Sequence, residues 1–188
     1  MIILFGAAGS GKSVQGQQLA KRHNFRWLSV GELLRSQNDP ELEKAMLKGE
    51  LVPDEFVVKM MHQASEEALA AGQNAVLDGY PRDEWQANWI VESGDVAKID
   101  GAIVLKVSND ERWRRLVERG RADDTRDSIE KRWALFDRTI NVMSEKLAQN
   151  GVRIQEVDGE GAVEEVTERI EQVLMDWRII DTQENKAE

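Results

Sequence analysis

Short apolar runs alternate with longer amphipathic segments along this chain. Each apolar run is bounded by Gly, Asn or Asp, and together they predict five β-strands at Ile2–Phe5, Phe25–Leu28, Ala75–Leu77, Ala102–Val107 and Val152–Val157. The segments between the runs have helical character. Such alternation is typical of an α/β fold in which a parallel sheet carries helices on both faces.

Start signals mark several of the predicted helices. Ser29-Val-Gly-Glu32 and Ser108-Asn-Asp-Glu111 have the spacing of capping boxes, and Pro53 opens a helix that ends near Gly72. The last helix has one apolar face, which we expect to pack on the sheet and which consists of Val163, Val166, Ile170, Val173, Leu174 and Trp177. The chain shows no internal repeat and no linker, so insertions between strands must serve as any mobile subdomains.

The composition limits the range of functions. With 188 residues and 41% hydrophobic content, the chain is long enough for one domain with a proper core. The net charge of −10 disfavours nucleic acid and anionic lipid, so any bound polyanion must be small and held in a local basic pocket. The chain has no cysteine and no apolar run long enough to span a bilayer. We therefore expect a cytoplasmic protein that binds neither nucleic acid nor membrane. We also expect a monomer.

The segment directly after the first predicted strand carries the strongest chemical signal. Gly6-Ala-Ala-Gly-Ser-Gly-Lys-Ser13 fits the pattern G-x-x-x-x-G-K-[ST]. Its glycines let backbone N–H groups surround an oxyanion, and the positive end of the following helix points at the same place. Lys12 is placed to reach the β- and γ-phosphates, and the Ser13 hydroxyl can ligate Mg²⁺. The segment predicts a phosphate-binding loop, and its glycine spacing fits a dinucleotide-binding turn less well.

A second candidate group follows the strand predicted at Ala75–Leu77. Asp78 lies at the carboxyl end of that strand, where it is placed to hold Mg²⁺ through water, and Pro81 presents the Arg82 guanidinium beside it. The alternative is an ordinary turn, because Asp-Gly and Pro favour turns. The arginine beside the aspartate favours a phosphate site.

Seven arginines fall within the 21 residues from Arg112 to Arg132 of this acidic chain. Arg119 and Arg121 lie in a break between two predicted helices, where a loop could close over phosphates. For three others we expect only a solvated helix face, namely Arg112, Arg114 and Arg126.

The tryptophans and histidines are interpreted as structural residues. The six tryptophans are scattered over different elements, so we expect core packing or partial burial and not base stacking. His23 and His62 are far apart in sequence and lack an accompanying carboxylate–histidine ligand pattern, so we expect both to be surface or helix-end residues without a metal site.

Six segments together resemble the adenylate kinase family, which belongs to the nucleoside monophosphate (NMP) kinases. They occur in the family's order and spacing at Gly6–Lys12, Ser29–Arg35, Gly49–Pro53, Asp78–Arg82, Gly120–Asp124 and Ile129–Arg132. The resemblance covers Met1 to Trp177. It implies a P-loop NTPase-like fold with a five-stranded parallel sheet, as one domain over residues 1–178 followed by a polar tail over 179–188. It also implies a small helical NMP-binding insertion at about 29–52 and a very short lid at about 118–124.

The same resemblance implies roles for individual residues. The ATP-binding set would be Gly9, Ser10, Gly11, Lys12, Ser13, Val14, Arg119 and Gly161. The NMP-binding set would be Val30, Arg35, Glu50, Leu51, Val52, Gly79, Arg82, Gln86, Arg121 and Arg132. The catalytic cations would be Lys12, Arg82, Arg119, Arg121 and Arg132, and Ser13 with Asp78 would hold the Mg²⁺ cofactor, largely through water. A phosphate oxygen needs no general base as a nucleophile, so cations that position and clamp the phosphates are sufficient.

The chain departs from the family pattern at three places. Ala8 replaces a proline of the loop, and Ser13-Val14 replaces glycine-threonine. Val30 stands where adenylate kinases usually have threonine, and a single glycine separates Arg119 from Arg121, which makes the lid shorter than the family's short lids.

The expected activity is reversible transfer of the γ-phosphoryl group of MgATP to a nucleoside monophosphate, with AMP as the acceptor. Gln86 matches the glutamine by which the family contacts adenine, and an amide can both donate to and accept from that base. One alternative is a UMP/CMP kinase, which typically has asparagine at this position. Another is a non-catalytic nucleotide sensor or ATPase on the same fold.

Overall fold

The computed structural model describes residues 1–48 and 52–181. In chain order its elements are β1 (Ile2–Phe5), α1 (Lys12–Arg22), β2 (Phe25–Ser29), α2 (Val30–Ser36), α3 (Pro40–Leu47), α4 (Asp54–Ala70), β3 (Asn74–Asp78), α5 (Glu84–Glu92), a 3₁₀ turn (Asp95–Lys98), β4 (Gly101–Lys106), α6 (Asn109–Arg119), α7 (Arg126–Gln149), β5 (Arg153–Asp158) and α8 (Val163–Asp176). The five predicted strands are confirmed, with ends shifted by one residue in four of them. Among the helices of these ranges, none is long and apolar enough to cross a membrane.

All five strands are parallel and lie in the order β2-β3-β1-β4-β5. The central strand β1 pairs with β3 on one side, Leu4 opposite Asp78, and with β4 on the other. The predicted α/β class with a parallel sheet is therefore confirmed. Because β1 lies at the centre, its carboxyl end opens between two crossover connections, which is where ligands bind in sheets of this kind.

Alternate residues of β1 enter two separate cores on the two faces of the sheet. Ile3 and Phe5 pack in one core with residues of α4, α5 and α7, whereas Ile2 and Leu4 pack in the other with α1 and α8. The apolar face predicted for α8 is confirmed at its centre, where Val166, Ile170 and Leu174 are buried; Val163 at its start is exposed. Since both faces of the sheet are covered, its strands form apolar runs.

The capping boxes predicted at Ser29 and Ser108 are wrong in their hydrogen bonding. Both serines are the N-cap residues of α2 and α6, but neither side chain caps its helix. The glutamates that would complete the boxes bind arginines instead: Glu32 accepts from Arg35 and Glu111 accepts from Arg115. An ion-paired hydrogen bond is stronger than a neutral one, so the arginines take the carboxylates.

Candidate active site

A cavity of about 840 Å³ opens at the carboxyl end of β1. Its walls come from the loop after β1, from α2, from the loop after β3, from the α6–α7 connection and from the loop before α8. A volume of this size is typical of small-molecule sites. The predicted site residues within the described ranges all line it, namely Gly9, Ser10, Gly11, Lys12, Ser13, Val14, Val30, Arg35, Val52, Asp78, Gly79, Arg82, Gln86, Arg119, Arg121, Arg132 and Gly161. Glu50 and Leu51 lie outside the described residues.

The loop from Gly6 to Lys12 requires glycine by its backbone geometry. Gly9 has φ +85°, and a Cβ atom there would lie 2.5 Å from the carbonyl oxygen of Arg112. Gly11 has φ +94° and is the N-cap of α1, so the loop leads directly into the positive end of that helix. Only glycine adopts these angles without strain. The loop therefore packs against α6 while its backbone faces the cavity.

Lys12 supplies the cation of this loop. In the ligand-free protein its Nζ donates to the carbonyl oxygens of Gly6 at 2.5 Å and Ala7 at 3.1 Å. Burial lowers the pKa of Lys12 to about 8, and the nearby cations Arg82, Arg119 and Arg132 act in the same direction, while Asp78 opposes them. A partly buried ammonium with this much neighbouring positive charge is suited to bind an anion.

Ser13 and Asp78, the two residues expected to hold Mg²⁺, are in direct contact. The Ser13 hydroxyl donates to Asp78 Oδ2 at 2.7 Å, and the Trp27 indole donates to the same oxygen at 3.1 Å. Asp78 is only 4% exposed, so its position is fixed. The pair offers one hydroxyl and one carboxylate, which are the hard oxygen donors that Mg²⁺ prefers. These residues therefore fit the expected metal.

Arg82 lies in the loop after β3, where its Nε donates to the carbonyl oxygen of Gly79 at 2.9 Å. Burial lowers the pKa of its guanidinium, and Arg132 and Arg35 add to this effect while Asp78 opposes it. An arginine remains charged despite such a shift. Arg82 is therefore a partly buried cation at the wall of the cavity.

Gln86 is a further polar residue of this wall and is 1% exposed. Its side-chain oxygen accepts from the backbone N–H of Arg82 at 2.8 Å, and its amide nitrogen donates to Asp54 at 2.7 Å. The expected base-contacting glutamine thus also supports the Arg82 loop. Sequence reasoning missed the Asp54 contact because α4 and α5 come together only in the fold.

Two carboxylate side chains each hold two of the remaining predicted arginines. Asp124 accepts from Arg119 at 2.7 Å and from Arg132 at 2.8 Å. Glu32 accepts from Arg35 at 2.6 Å and from Arg121 at 3.2 Å. The second set joins α2 to the α6–α7 connection across the cavity.

Arg115 and Trp133 are also residues of the site that the sequence analysis did not assign to it. Arg115 connects the phosphate loop to the loop before α8, because it donates to the carbonyl oxygens of Ser10 at 3.4 Å and Gly159 at 3.0 Å. Trp133 donates from its indole to the carbonyl oxygen of Ala8 at 2.8 Å. The arginine-rich composition of the segment signalled Arg115, whereas no local pattern signals Trp133.

The expectation of a solvated Arg112 is wrong. Its side chain is 7% exposed, and its guanidinium lies 4.4 Å from the centre of the Trp133 ring. Arg114 and Arg126 are exposed as expected, at 56% and 81% of their side chains. The residue that covers Arg112 comes from α7, so the local charge pattern of α6 could not reveal its burial.

The prediction of core packing or partial burial holds for four of the six tryptophans. The expectation that no carboxylate accompanies the histidines is wrong for His62. Trp27, Trp89, Trp133 and Trp177 are partly buried, whereas Trp85 and Trp113 are exposed. His62 has two carboxylates close to it, because Glu66 lies one helical turn further along α4 and Asp95 comes from the 3₁₀ turn.

Comparison with known proteins agrees with this geometry. The family model described as adenylate kinase matches residues 4–152. The chain is 33% identical to an adenylate kinase of Synechococcus sp. (strain CC9311), covering 92% of this chain and 97% of the relative. It is 34% identical to adenylate kinases of Maricaulis maris (strain MCS10), with 92% and 97% covered, and of Nocardioides sp. (strain ATCC BAA-499 / JS614), with 92% and 96% covered.

Proposed function

We propose that this chain, which belongs to the adenylate kinase family and is therefore a nucleoside monophosphate kinase, uses AMP as the acceptor of the γ-phosphoryl group of MgATP. Phosphoryl transfer between ATP and a nucleoside monophosphate follows from the family. The choice of AMP, the roles of individual residues and the use of Mg²⁺ are part of the proposal.

The hydrogen-bonding capacity of Gln86 supports AMP as the acceptor. Its contacts with Arg82 and Asp54 use one N–H and one lone pair of the amide. A second N–H and a second lone pair remain. The Watson–Crick edge of adenine needs one donor and one acceptor, so Gln86 can bind it without giving up its contacts within the protein. Val30 lines the same cavity and adds an apolar contact without a hydroxyl.

The cations of the cavity support phosphate binding on two sides. Lys12 and the loop Gly9–Val14 would hold the phosphates of ATP, and Arg35 with Arg82 would hold the phosphate of AMP. Within the described ranges, neither Lys12 nor Arg82 forms a salt bridge with a carboxylate, and both donate to backbone carbonyl oxygens. Phosphate oxygens are stronger acceptors because they are charged. These two cations can therefore exchange partners when substrates bind.

The lid cations support a clamp around the transferred group. Arg119 would contact ATP, and Arg121 and Arg132 would bridge toward the reacting phosphates. In the ligand-free protein their partners Asp124 and Glu32 hold them at the edge of the cavity. Phosphoryl transfer needs positioning and charge neutralisation more than covalent chemistry. Arginines that are already held near the phosphates therefore reduce the entropic cost of bringing the catalytic groups together. Residues 29–52 would form the NMP-binding segment and 118–124 the lid.

Ser13 and Asp78 would hold Mg²⁺, with Asp78 acting largely through water. When bound, the ion supplies positive charge to the oxygens of the β- and γ-phosphates. The 2.7 Å contact between the two side chains keeps both oxygens at the end of the phosphate loop. Trp27 fixes Asp78 from the side by its indole hydrogen bond.

A turnover assay of the pure protein tests the proposal. ATP and Mg²⁺ are supplied with AMP, CMP, UMP or GMP in turn, and formation of each diphosphate is measured. We expect kcat/KM to be highest for AMP. A higher value for CMP or UMP would make the protein a UMP/CMP kinase. ATP cleavage without any diphosphate of the acceptor would make it an ATPase, and the absence of any turnover would make it a non-catalytic sensor.

A further inference from the structure

A second group of charged side chains lies outside the nucleotide cavity. His62 and Glu66 are four residues apart on α4, and Asp95 and Lys98 begin and end the 3₁₀ turn. The potential ligand atoms of the histidine and the two carboxylates lie within 4.8 Å of one another. Two different elements thus present one imidazole and two carboxylates at a single point.

The charges of this group are not balanced by the cation that occupies it. Lys98 Nζ donates to Glu66 at 2.7 Å and to Asp95 at 2.9 Å, and Asp95 also binds His62 Nδ1 at 2.7 Å. Two carboxylates carry two negative charges, and Lys98 neutralises only one of them.

An unpartnered hydroxyl lies next to the same group. Tyr80 is 3% exposed, and its hydroxyl has no hydrogen-bond partner among the described residues. Tyr80 lines a small cavity together with His62 and Asp95. The volume of this cavity is about 10 Å³, which is enough for one water molecule. A buried hydroxyl costs free energy unless it is paired, so this cavity is suited to hold a polar group.

We propose that His62, Glu66 and Asp95 bind one divalent transition-metal ion of the zinc type, with a water molecule in the Tyr80 cavity as a further ligand. Imidazole nitrogen and carboxylate oxygen are both donors that such ions bind. A divalent ion would balance both carboxylates, which Lys98 cannot do. Lys98 is partly exposed and can leave its partners for solvent. Bond lengths of about 2.0–2.2 Å require the three side chains to move closer together, and the half-exposed Glu66 is free to turn.

The proposed ion would have a structural role. It would join α4 to the 3₁₀ turn beside Tyr80, whereas the nucleotide cavity is lined by Asp78 and Arg82. A ligand that binds only the folded state raises the melting temperature. We therefore expect the metal to stabilise the protein and to be separate from the Mg²⁺ used with ATP.

Titration of Zn²⁺ into the nucleotide-free full-length protein tests the site. Excess Mg²⁺ is present to occupy Ser13 and Asp78, and calorimetry measures stoichiometry and affinity. We expect one equivalent to bind and the melting temperature to rise. His62→Ala should weaken this binding at least about tenfold. His23→Gln is the matched control, because His23 pairs with Glu171 on another face and should leave the affinity unchanged.

The Lys98→Ala variant distinguishes a metal site from a simple salt bridge. If the carboxylates form a metal site, removing the competing ammonium strengthens Zn²⁺ binding. Co²⁺ provides a second measurement, because its visible spectrum changes with the ligands, and this change should be lost in His62→Ala. The proposal is overturned if neither the wild type nor Lys98→Ala binds one equivalent, or if His62→Ala binds as well as the wild type.

Discussion

The indole of Trp133 donates a 2.8 Å hydrogen bond to the carbonyl oxygen of Ala8, and so ties α7 to the phosphate loop. The guanidinium of Arg112 stacks on the same indole at 4.4 Å, while the backbone of Arg112 packs against Gly9. Trp133 also directly follows Arg132, one of the proposed catalytic cations. The loop and that cation are therefore fixed to each other through one side chain.

Trp133→Phe should raise the KM for ATP about fivefold and change kcat less. The substitution keeps an aromatic ring but removes a hydrogen bond worth about 1 kcal/mol, which leaves the Ala8 carbonyl unpaired. Steady-state kinetics with varied ATP provide the measurement. Trp113→Phe is the control, because Trp113 touches the edge of Trp133 and is more exposed. Equal effects of the two substitutions would contradict a specific role for the Trp133 bond.

Lys12→Met should reduce phosphoryl transfer by roughly 10²-fold or more while leaving the fold intact. The substitution removes a charge that faces the phosphates and retains the aliphatic part of the side chain. Coupled ADP assays measure transfer, and circular dichroism checks folding. Lys21→Met, an exposed lysine on the same helix, should keep its activity. Near wild-type turnover by a folded Lys12→Met protein would disprove the assignment of the phosphate loop.

Binding of ATP at a pH slightly above 8 should take up a proton. Burial lowers the pKa of Lys12 to about 8 in the ligand-free protein, so above that pH the amine is largely neutral. The negative phosphates favour the charged form and raise the pKa again, which draws a proton from solvent. Calorimetry in two buffers with different ionisation enthalpies measures this uptake.

A control for the proton uptake is Lys12→Arg, because an arginine stays protonated at this pH. The buffer dependence of the binding enthalpy should be small in that variant. If the wild type shows the same enthalpy in both buffers, Lys12 is already fully charged before ATP binds.

Gln86→Ala should reduce kcat/KM for AMP more than for CMP. A site that pairs with one base edge is left with unpaired groups when another base enters, so loss of the amide affects the matched base most. The loss of the contact to the Arg82 backbone should also lower kcat for every acceptor. Gln63→Ala on the exposed face of α4 is the control. An equal loss for AMP and CMP would mean that Gln86 acts only through Arg82.

Arg121→Ala should lose transfer more severely than ATP affinity, and the wild type should hydrolyse ATP slowly when no acceptor is present. The single glycine between Arg119 and Arg121 leaves few atoms to keep water away from the γ-phosphate. Phosphate release with ATP alone is compared with ADP formation in the presence of AMP, which should suppress hydrolysis. Arg126→Ala, an exposed arginine of α7, is the control.

Undetectable hydrolysis at high enzyme concentration would mean that other parts of the protein exclude water. The Glu32–Arg121 contact already joins α2 to the α6–α7 connection, which is the proposed lid. In that case the segment at 29–52, and not the length of the lid, would close the site.

The sequence by itself determined the strands, the parallel α/β class and the phosphate loop, because each depends on residues that are neighbours in the chain. A buried strand followed by Gly6–Ser13 leaves few other structures for that segment. The same holds for Asp78, the last residue of β3, and for Arg82 in the loop after it. Since parallel strands end at the same edge of a sheet, their loops come together in one cavity, as the sequence predicts.

Only the tertiary structure decided which of the remaining polar residues meet. Arg112 is buried under Trp133, and His62 lies beside Asp95, although local patterns indicated a solvated arginine and two isolated histidines. These contacts join residues 21 and 33 positions apart on different elements. Their formation depends on the packing of whole helices, which the spacing of residues along one helix does not encode.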